Sequence, residues 1–183
     1  MDRTNEQSYQ AAIYKADANQ SPTGVIRDRL SNEMTNATPN PDEENSEILT
    51  QMRNKHLLIV NSRRRNGLIL YKSYHAEFAG PGSAVGGLFD VDCKQVLPVG
   101  NLSLVSPESA QERQNAYLIR RQWIRLTRQI TDNPVPLQRA QKIIEQFKQF
   151  FGTETIAQIP DDALALLVGV LPDTISRARE IDD

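Results

Sequence analysis

The sequence predicts an α+β protein with a disordered acidic tail over residues 1–50, a small β-rich subdomain over residues 51–106 and a helical domain over residues 107–183. Three observations predict this class. The first fifty residues have few large apolar side chains, the middle part has short apolar runs separated by Gly and Asn, and the last part repeats apolar residues at spacings of three and four. A chain of 183 residues is long enough for one domain with a tail.

The tail prediction rests on composition. Residues 1–50 contain 9 acidic and 4 basic side chains, and the run SNEMTNATPNPDEENSE is polar and contains proline. Such a segment buries too little apolar surface to offset the entropy lost on ordering. We expect the tail to be dispensable for folding; the alternative is an arm that folds on a protein partner.

The chain carries no sign of secretion or of a membrane span. Its N-terminus has acids and amides where a signal peptide has an apolar run, and no run approaches about 18 consecutive apolar residues. Cys93 is the single cysteine, which excludes an internal disulfide and fits a reducing compartment. We therefore expect a cytoplasmic protein without a membrane partner.

A small antiparallel β element of three or four strands is predicted over residues 56–105. The apolar runs HLLIV and GLILYKSYHAEF are joined by SRRRNG, and an Asn-Gly pair in such a polar connection is a hairpin signal. The later run GLFDVDCKQVLPV predicts a strand that carries Asp90 and Asp92 on one face. The glycine-rich residues 79–87 lack the order of a phosphate-binding loop and are expected to form a flexible inter-strand loop.

Two amphipathic helices follow the β element. Ser106 is predicted to cap the first helix, with Pro107 at its first position, and TDNPVP ends it. The second helix is predicted over residues 135–151, with Gly152 at its end. The buried stripe of the first helix is predicted to consist of Ala116, Ile119, Trp123, Leu126 and Ile130.

The stretch DDALALLVGVLPDTISRARE, residues 161–180, has the pattern of two short helices that cross closely at a tight turn. Ala165 is the small residue at the crossing, Gly169 supplies the positive φ that the turn needs, and Pro172 suits the first position of the second helix. The inward positions of the pair are Leu164, Val168, Val170, Ile175 and Ala178.

The segment VLPDTISRARE resembles the turn and recognition helix of the helix-turn-helix module of bacterial and phage transcription regulators, of the Crp type or the Cro/repressor type. The resemblance covers residues 161–180 alone. It implies duplex DNA as the partner, and it departs from the pattern at Leu171, where such turns usually place a small polar residue. The residues that the resemblance assigns to base reading are Asp173, Thr174, Ser176, Arg177 and Glu180.

Positive charge for DNA binding must come from outside this module, since residues 151–183 contain 7 acidic and 2 basic side chains. Two groups of arginines are the candidates for phosphate contacts, and a solvated surface is the alternative for both. The first group, on the long helix, is Arg113, Arg120, Arg121, Arg125 and Arg128. The second group, in SRRRNG, is Arg63, Arg64 and Arg65.

No pattern points to catalysis or to a metal site. His56 and His75 are the only histidines, and neither an HExxH motif nor a second cysteine accompanies them. We expect no enzymatic activity, no cofactor and no metal. The sequence leads to the hypothesis of a DNA-binding transcriptional regulator that acts as a homodimer. The alternative is a non-enzymatic adaptor whose helical unit docks a partner protein and whose acidic tail recruits another.

Overall fold

The computed structural model describes residues 41–182. Its first element is helix α1 (Pro41–Arg53), which begins inside the predicted disordered tail. The prediction of disorder is therefore wrong for residues 41–50. Residues 1–40 of the predicted tail lie outside the described residues. Ile48 and Met52 stand one helical turn apart and are both buried in the core. This local apolar pair outweighs the acidic composition of the surrounding segment.

Six strands follow α1, more than the three or four predicted, and they confirm the α+β class. They are β1 (Leu57–Val60), β2 (Asn66–Tyr71), β3 (Ala76–Ala79), β4 (Ala84–Gly86), β5 (Gln95–Gly100) and β6 (Leu104–Val105). They form two antiparallel three-stranded sheets, with the strand orders β4-β1-β6 and β3-β2-β5. Residues 84–86, expected in a flexible loop, are therefore a buried strand paired with β1.

The predicted hairpin between β1 and β2 is wrong, because these two strands belong to different sheets. Asn66 and Gly67 are not turn residues but the first two residues of β2, where they pair with Gly100 and Val99. Glycine is required at position 67 for close packing, since any side chain there would collide with the ring of Phe78. The adjacent hairpin instead joins β2 to β3.

The predicted strand around Asp90 and Asp92 is also wrong, since residues 87–94 form the connection from β4 to β5. The two carboxylates do not share a solvated face. Asp90 is buried, and its Oδ2 accepts a hydrogen bond from the Gly86 amide at 2.8 Å. Asp92 is exposed, and its carboxylate accepts a hydrogen bond from Lys72, which also donates to Asp90.

Five helices complete the described chain. They are α2 (Ala110–Thr131), α3 (Pro136–Phe151), α4 (Thr153–Ala157), α5 (Asp161–Val168) and α6 (Pro172–Asp182). The cap of α2 is Ser109 rather than the predicted Ser106: its hydroxyl accepts a hydrogen bond from the Glu112 amide at 3.0 Å, and Glu112 accepts one from the Glu108 amide. No helix in the described part of the chain is long and apolar enough to cross a membrane.

Phe78 of β3 joins the β part to the helices. Its ring packs edge-on against Trp123 of α2, with 5.3 Å between the centroids, and against Phe151 of α3, with 5.5 Å. Phe147 of α3 lies closer still, at 4.8 Å. The sheet β3-β2-β5 and the helices therefore share one aromatic core, which fixes α2 against the edge strand β3.

Candidate nucleic-acid interface

Helices α5 and α6 are joined by a tight turn over residues 169–171. The predicted positive φ of Gly169 is confirmed, with φ 62° and ψ 50°, and its amide bonds back to the Ala165 carbonyl. Pro172 is the first residue of α6, as predicted. Of the residues predicted to face inward or to lie at the crossing, Leu164, Ala165, Val168, Ile175 and Ala178 are buried and Val170 is half-buried.

The packing of α6 against α5 is stabilised by an ion pair that the sequence did not predict. Arg179 Nε lies 2.8 Å from Asp161 Oδ1, and its two terminal nitrogens donate to the carbonyls of Ile156 and Ile159 at 3.2 and 2.7 Å. Ile156 lies in α4 and Ile159 follows that helix, so Arg179 connects α6 to the segment that leads into α5. A pair 18 residues apart matches no local spacing rule, so only the packed structure shows it.

The five residues that the resemblance assigns to base reading divide into two groups. Asp173, Arg177 and Glu180 are exposed on α6. Thr174 is half-buried, and the Ser176 hydroxyl donates to Asp161 Oδ2 at 2.5 Å. Ser176 therefore serves the packing of α5 on α6, and the exposed stripe carries one cation and two anions.

The exposed arginines of α2 form a ridge. Arg121, Arg125 and Arg128 are all exposed, and at 100° per residue they fall within about 60° of arc on one side of the helix. Arg113 is exposed nearer the start of α2. We call Arg121, Arg125 and Arg128 the arginine ridge.

Arg120 was predicted to contact phosphate, and this prediction is wrong. Only 5% of its surface is exposed, and its Nη2 lies 2.5 Å from Glu77 Oε2 and 3.5 Å from Asp90 Oδ1. Arg120 stands four residues after Ala116 and three before Trp123, so it lies on the buried side of α2. That spacing was the available signal.

Arg120 belongs to a cluster of buried charges under the connection from β4 to β5. Lys72 Nζ donates to Asp90 at 3.0 Å, to Asp92 at 2.5 Å and to the Phe89 carbonyl at 3.0 Å. Burial would raise the pKa of Glu77, but the charge and hydrogen bond of Arg120 outweigh it and lower that pKa. Burial would likewise lower the pKa of Lys72, and its bonds to Asp92 and Asp90 raise it instead.

The connection held by this cluster presents apolar side chains to solvent. Leu88, Phe89 and Val91 are 74%, 68% and 50% exposed, and the Phe89 ring packs on Tyr117 of α2 with centroids 5.1 Å apart. We call Leu88, Phe89 and Val91 the apolar loop patch. Exposed apolar groups gathered on a braced loop are typical of a surface that contacts a partner.

Arg63, Arg64 and Arg65 are exposed in the connection from β1 to β2. Their neighbour Ser62 and Ile119 of α2 both lie near Gly82. Ile119 is two residues from Arg121, which places it on the opposite side of the helix. The start of this connection, at Ser62, therefore lies near the side of α2 opposite the ridge.

A groove of about 420 Å³ separates the β2–β3 hairpin, the second half of α2 and the end of α5. Arg128 of the ridge lines this groove together with Gly169 and Val170 of the turn before α6. One end of the arginine ridge therefore lies beside the turn that leads into the candidate recognition helix.

No family model, curated protein or solved structure matches this chain.

Within the part of the chain that the structure describes, no group of three or more His, Cys, Asp or Glu side chains is placed to hold a metal ion. Burial raises the pKa of the Cys93 thiol to about 11, and the charge of Asp90 adds to this effect. A thiol with such a pKa is not set up as a nucleophile at neutral pH.

Proposed function

We propose that the protein binds duplex DNA through the α5–α6 pair and regulates transcription. The observation that carries the proposal is the left-handed Gly169 in a tight turn between two helices. Most residues of the first helix are buried, and the second helix is held against the first by Arg179 and has one exposed stripe. This arrangement supports the resemblance to the helix-turn-helix modules of transcription regulators, in which the second helix enters the major groove.

Affinity in this proposal comes from α2. The exposed stripe of α6 has two carboxylates and one guanidinium, so it gains little from phosphates. The arginine ridge supplies the missing charge, with Arg128 nearest the turn. Arg63, Arg64 and Arg65 remain candidates for a separate phosphate contact on the other side of α2.

A DNA-binding regulator would act in the cytoplasm, without a catalytic site or cofactor. It would act as a homodimer, because one small module covers too little DNA for specific binding. The apolar loop patch is the surface that we assign to the contact between the two copies.

The apolar loop patch also supports the second candidate function, an adaptor that docks another protein. The oligomeric state, measured by analytical ultracentrifugation, distinguishes a homodimer contact from an adaptor surface. If the patch joins two copies, Leu88→Ser with Phe89→Ser makes a dimer monomeric, whereas Tyr74→Ser, which changes an exposed aromatic residue elsewhere, leaves the dimer intact. A wild-type monomer at high micromolar concentration would favour the adaptor.

The DNA proposal is tested with two sets of variants and fluorescence anisotropy. Arg125→Ala with Arg128→Ala should weaken binding to all duplexes alike, since phosphate contacts carry no sequence information. Arg177→Ala should reduce the preference for a site selected from random duplexes by about 1–3 kcal/mol. Arg53→Ala, an exposed arginine at the end of α1, is the matched control and should change neither quantity.

The ridge variant should change the general affinity for DNA, and Arg177→Ala should change the preference for one site. Loss of the preference for one site in the ridge variant, with unchanged general affinity, would contradict the assigned roles. Equal effects of Arg53→Ala and the ridge variant would show that only total charge matters.

A further inference from the structure

The groove beside the α5–α6 turn has the composition of a ligand site. Phe78, Ala165 and Leu167 are buried at its lining, and Ile124 and Val170 add partly exposed apolar surface. A volume of about 420 Å³ falls in the range of small-molecule sites, which are mostly apolar with a few polar groups.

The charged groups of the groove leave one cation available. Glu77 lines the groove, but its carboxylate is engaged by Arg120 at 2.5 Å and lies 3.4 Å from His75 Nε2. Among the described residues, the Arg128 side chain has no hydrogen bond or ion pair. The hydroxyls of Thr127 and Thr131 donate to carbonyls of their own helix, so the guanidinium of Arg128 is the principal free donor.

We propose that this groove binds a small amphipathic monocarboxylate, whose aliphatic or aromatic body lies on the apolar lining and whose carboxylate pairs with Arg128. A guanidinium matches a carboxylate in a two-bond fork. A phosphate ester would bring a second negative charge next to Glu77, with no second free cation in the groove. The chemistry of the lining therefore favours the singly charged anion.

Occupancy of the groove would affect DNA binding, and this consequence rests on the proposed function. Arg128 can pair with a phosphate of DNA or with the carboxylate, but not fully with both. Because Gly169 and Val170 also line the groove, a bound ligand lies against the turn that positions α6. The carboxylate should therefore lower the affinity for duplex DNA.

The binding claim is tested on the full chain without DNA, by calorimetric titration. The probes are octanoate and 4-phenylbutyrate, each compared with its neutral amide. We expect at least one carboxylate to bind saturably and about tenfold more tightly than its amide, the effect of one charge-assisted hydrogen bond. Arg128→Ala should abolish that preference, and Arg125→Ala, an exposed arginine that does not line the groove, should preserve it.

A second pair of variants tests the apolar lining. Ile124→Trp replaces an aliphatic side chain with a bulky indole in the groove and should abolish binding of both probes, whereas Leu118→Trp, at an exposed position outside the groove, should not. Absence of saturable binding by both carboxylates, equal affinity for the amides, or equal loss in Arg125→Ala overturns the proposal. Carboxylate binding without any DNA binding would sustain the ligand site and refute the proposed function alone.

Discussion

At the scale of single residues, Gly169 is the position on which the α5–α6 turn depends. Its φ of 62° is left-handed, and a Cβ there would meet only Arg139 Nη1 at 3.7 Å. The cost of a side chain is therefore conformational and not steric. We expect Gly169→Val to lower the free energy of unfolding by about 1–3 kcal/mol, measured by urea denaturation.

Gly169→Asn is the matched control, since asparagine tolerates the left-handed region. Its free energy of unfolding should be clearly higher than that of Gly169→Val. If valine and asparagine are equally tolerated, the turn does not need its left-handed residue, and the helix pair loses its main geometric support.

Arg120 and Arg121 are neighbours in sequence with opposite surroundings. Arg120→Ala removes one partner of a buried pair and leaves Glu77 without it, which costs about 3 kcal/mol in such sites. Arg121→Ala changes an exposed side chain and should stay within about 0.5 kcal/mol of the parent. Thermal melts of the two variants check this contrast, and similar melting temperatures would contradict the burial of Arg120.

Glu77 should make the free energy of unfolding depend on pH in the acidic range. Its pKa is lowered in the folded state, so the stabilisation by its charge is present above the usual pKa of 4.5 and is lost as the pH falls through the lower folded value. We expect the free energy of unfolding to decline below about pH 4.5. Glu77→Gln should make this decline shallower in urea titrations over a pH series; an unchanged slope would contradict the assignment.

At the scale of elements, α1 is part of the core and not of the tail. Met52 is fully buried, and Ile48 packs in the same cluster. We expect Met52→Ala to cost about 2–5 kcal/mol, the usual range for such a truncation. Arg53→Ala, the next residue and exposed, is the control. An alanine variant at position 52 as stable as the parent would mean that α1 does not contribute to the core.

Helices were more predictable than strands because their signals are local. The apolar spacings in 135–151 and 161–180 predicted helices whose outer ends lie within two residues of those observed. The pairing of strands depends on residues far apart, such as Asn66 and Gly100. The Asn-Gly pair therefore indicated a turn, whereas its pairing with β5 makes both residues part of a strand.

At the scale of the whole molecule, the DNA contact that we propose depends on how the exposed charges are distributed. Four of the five arginines of α2 that the sequence offered for phosphate contacts are exposed, and Arg120 is buried; the exposed four are Arg113, Arg121, Arg125 and Arg128. The sequence also missed the brace between Arg179 and Asp161, and the ion cluster around Lys72, because both join separate elements. Local sequence patterns identify an exposed face, whereas partners across the core depend on the tertiary fold.

Titration of the full-length protein with random duplex DNA over a salt series tests the central claim most directly. Three phosphate contacts from the arginine ridge predict that the logarithm of the association constant falls with the logarithm of salt at a slope of about −3. Between 50 and 200 mM salt, the affinity should therefore fall by about fiftyfold. Absence of binding at 50 mM salt, or binding that salt does not weaken, would contradict the proposal that this protein acts on DNA.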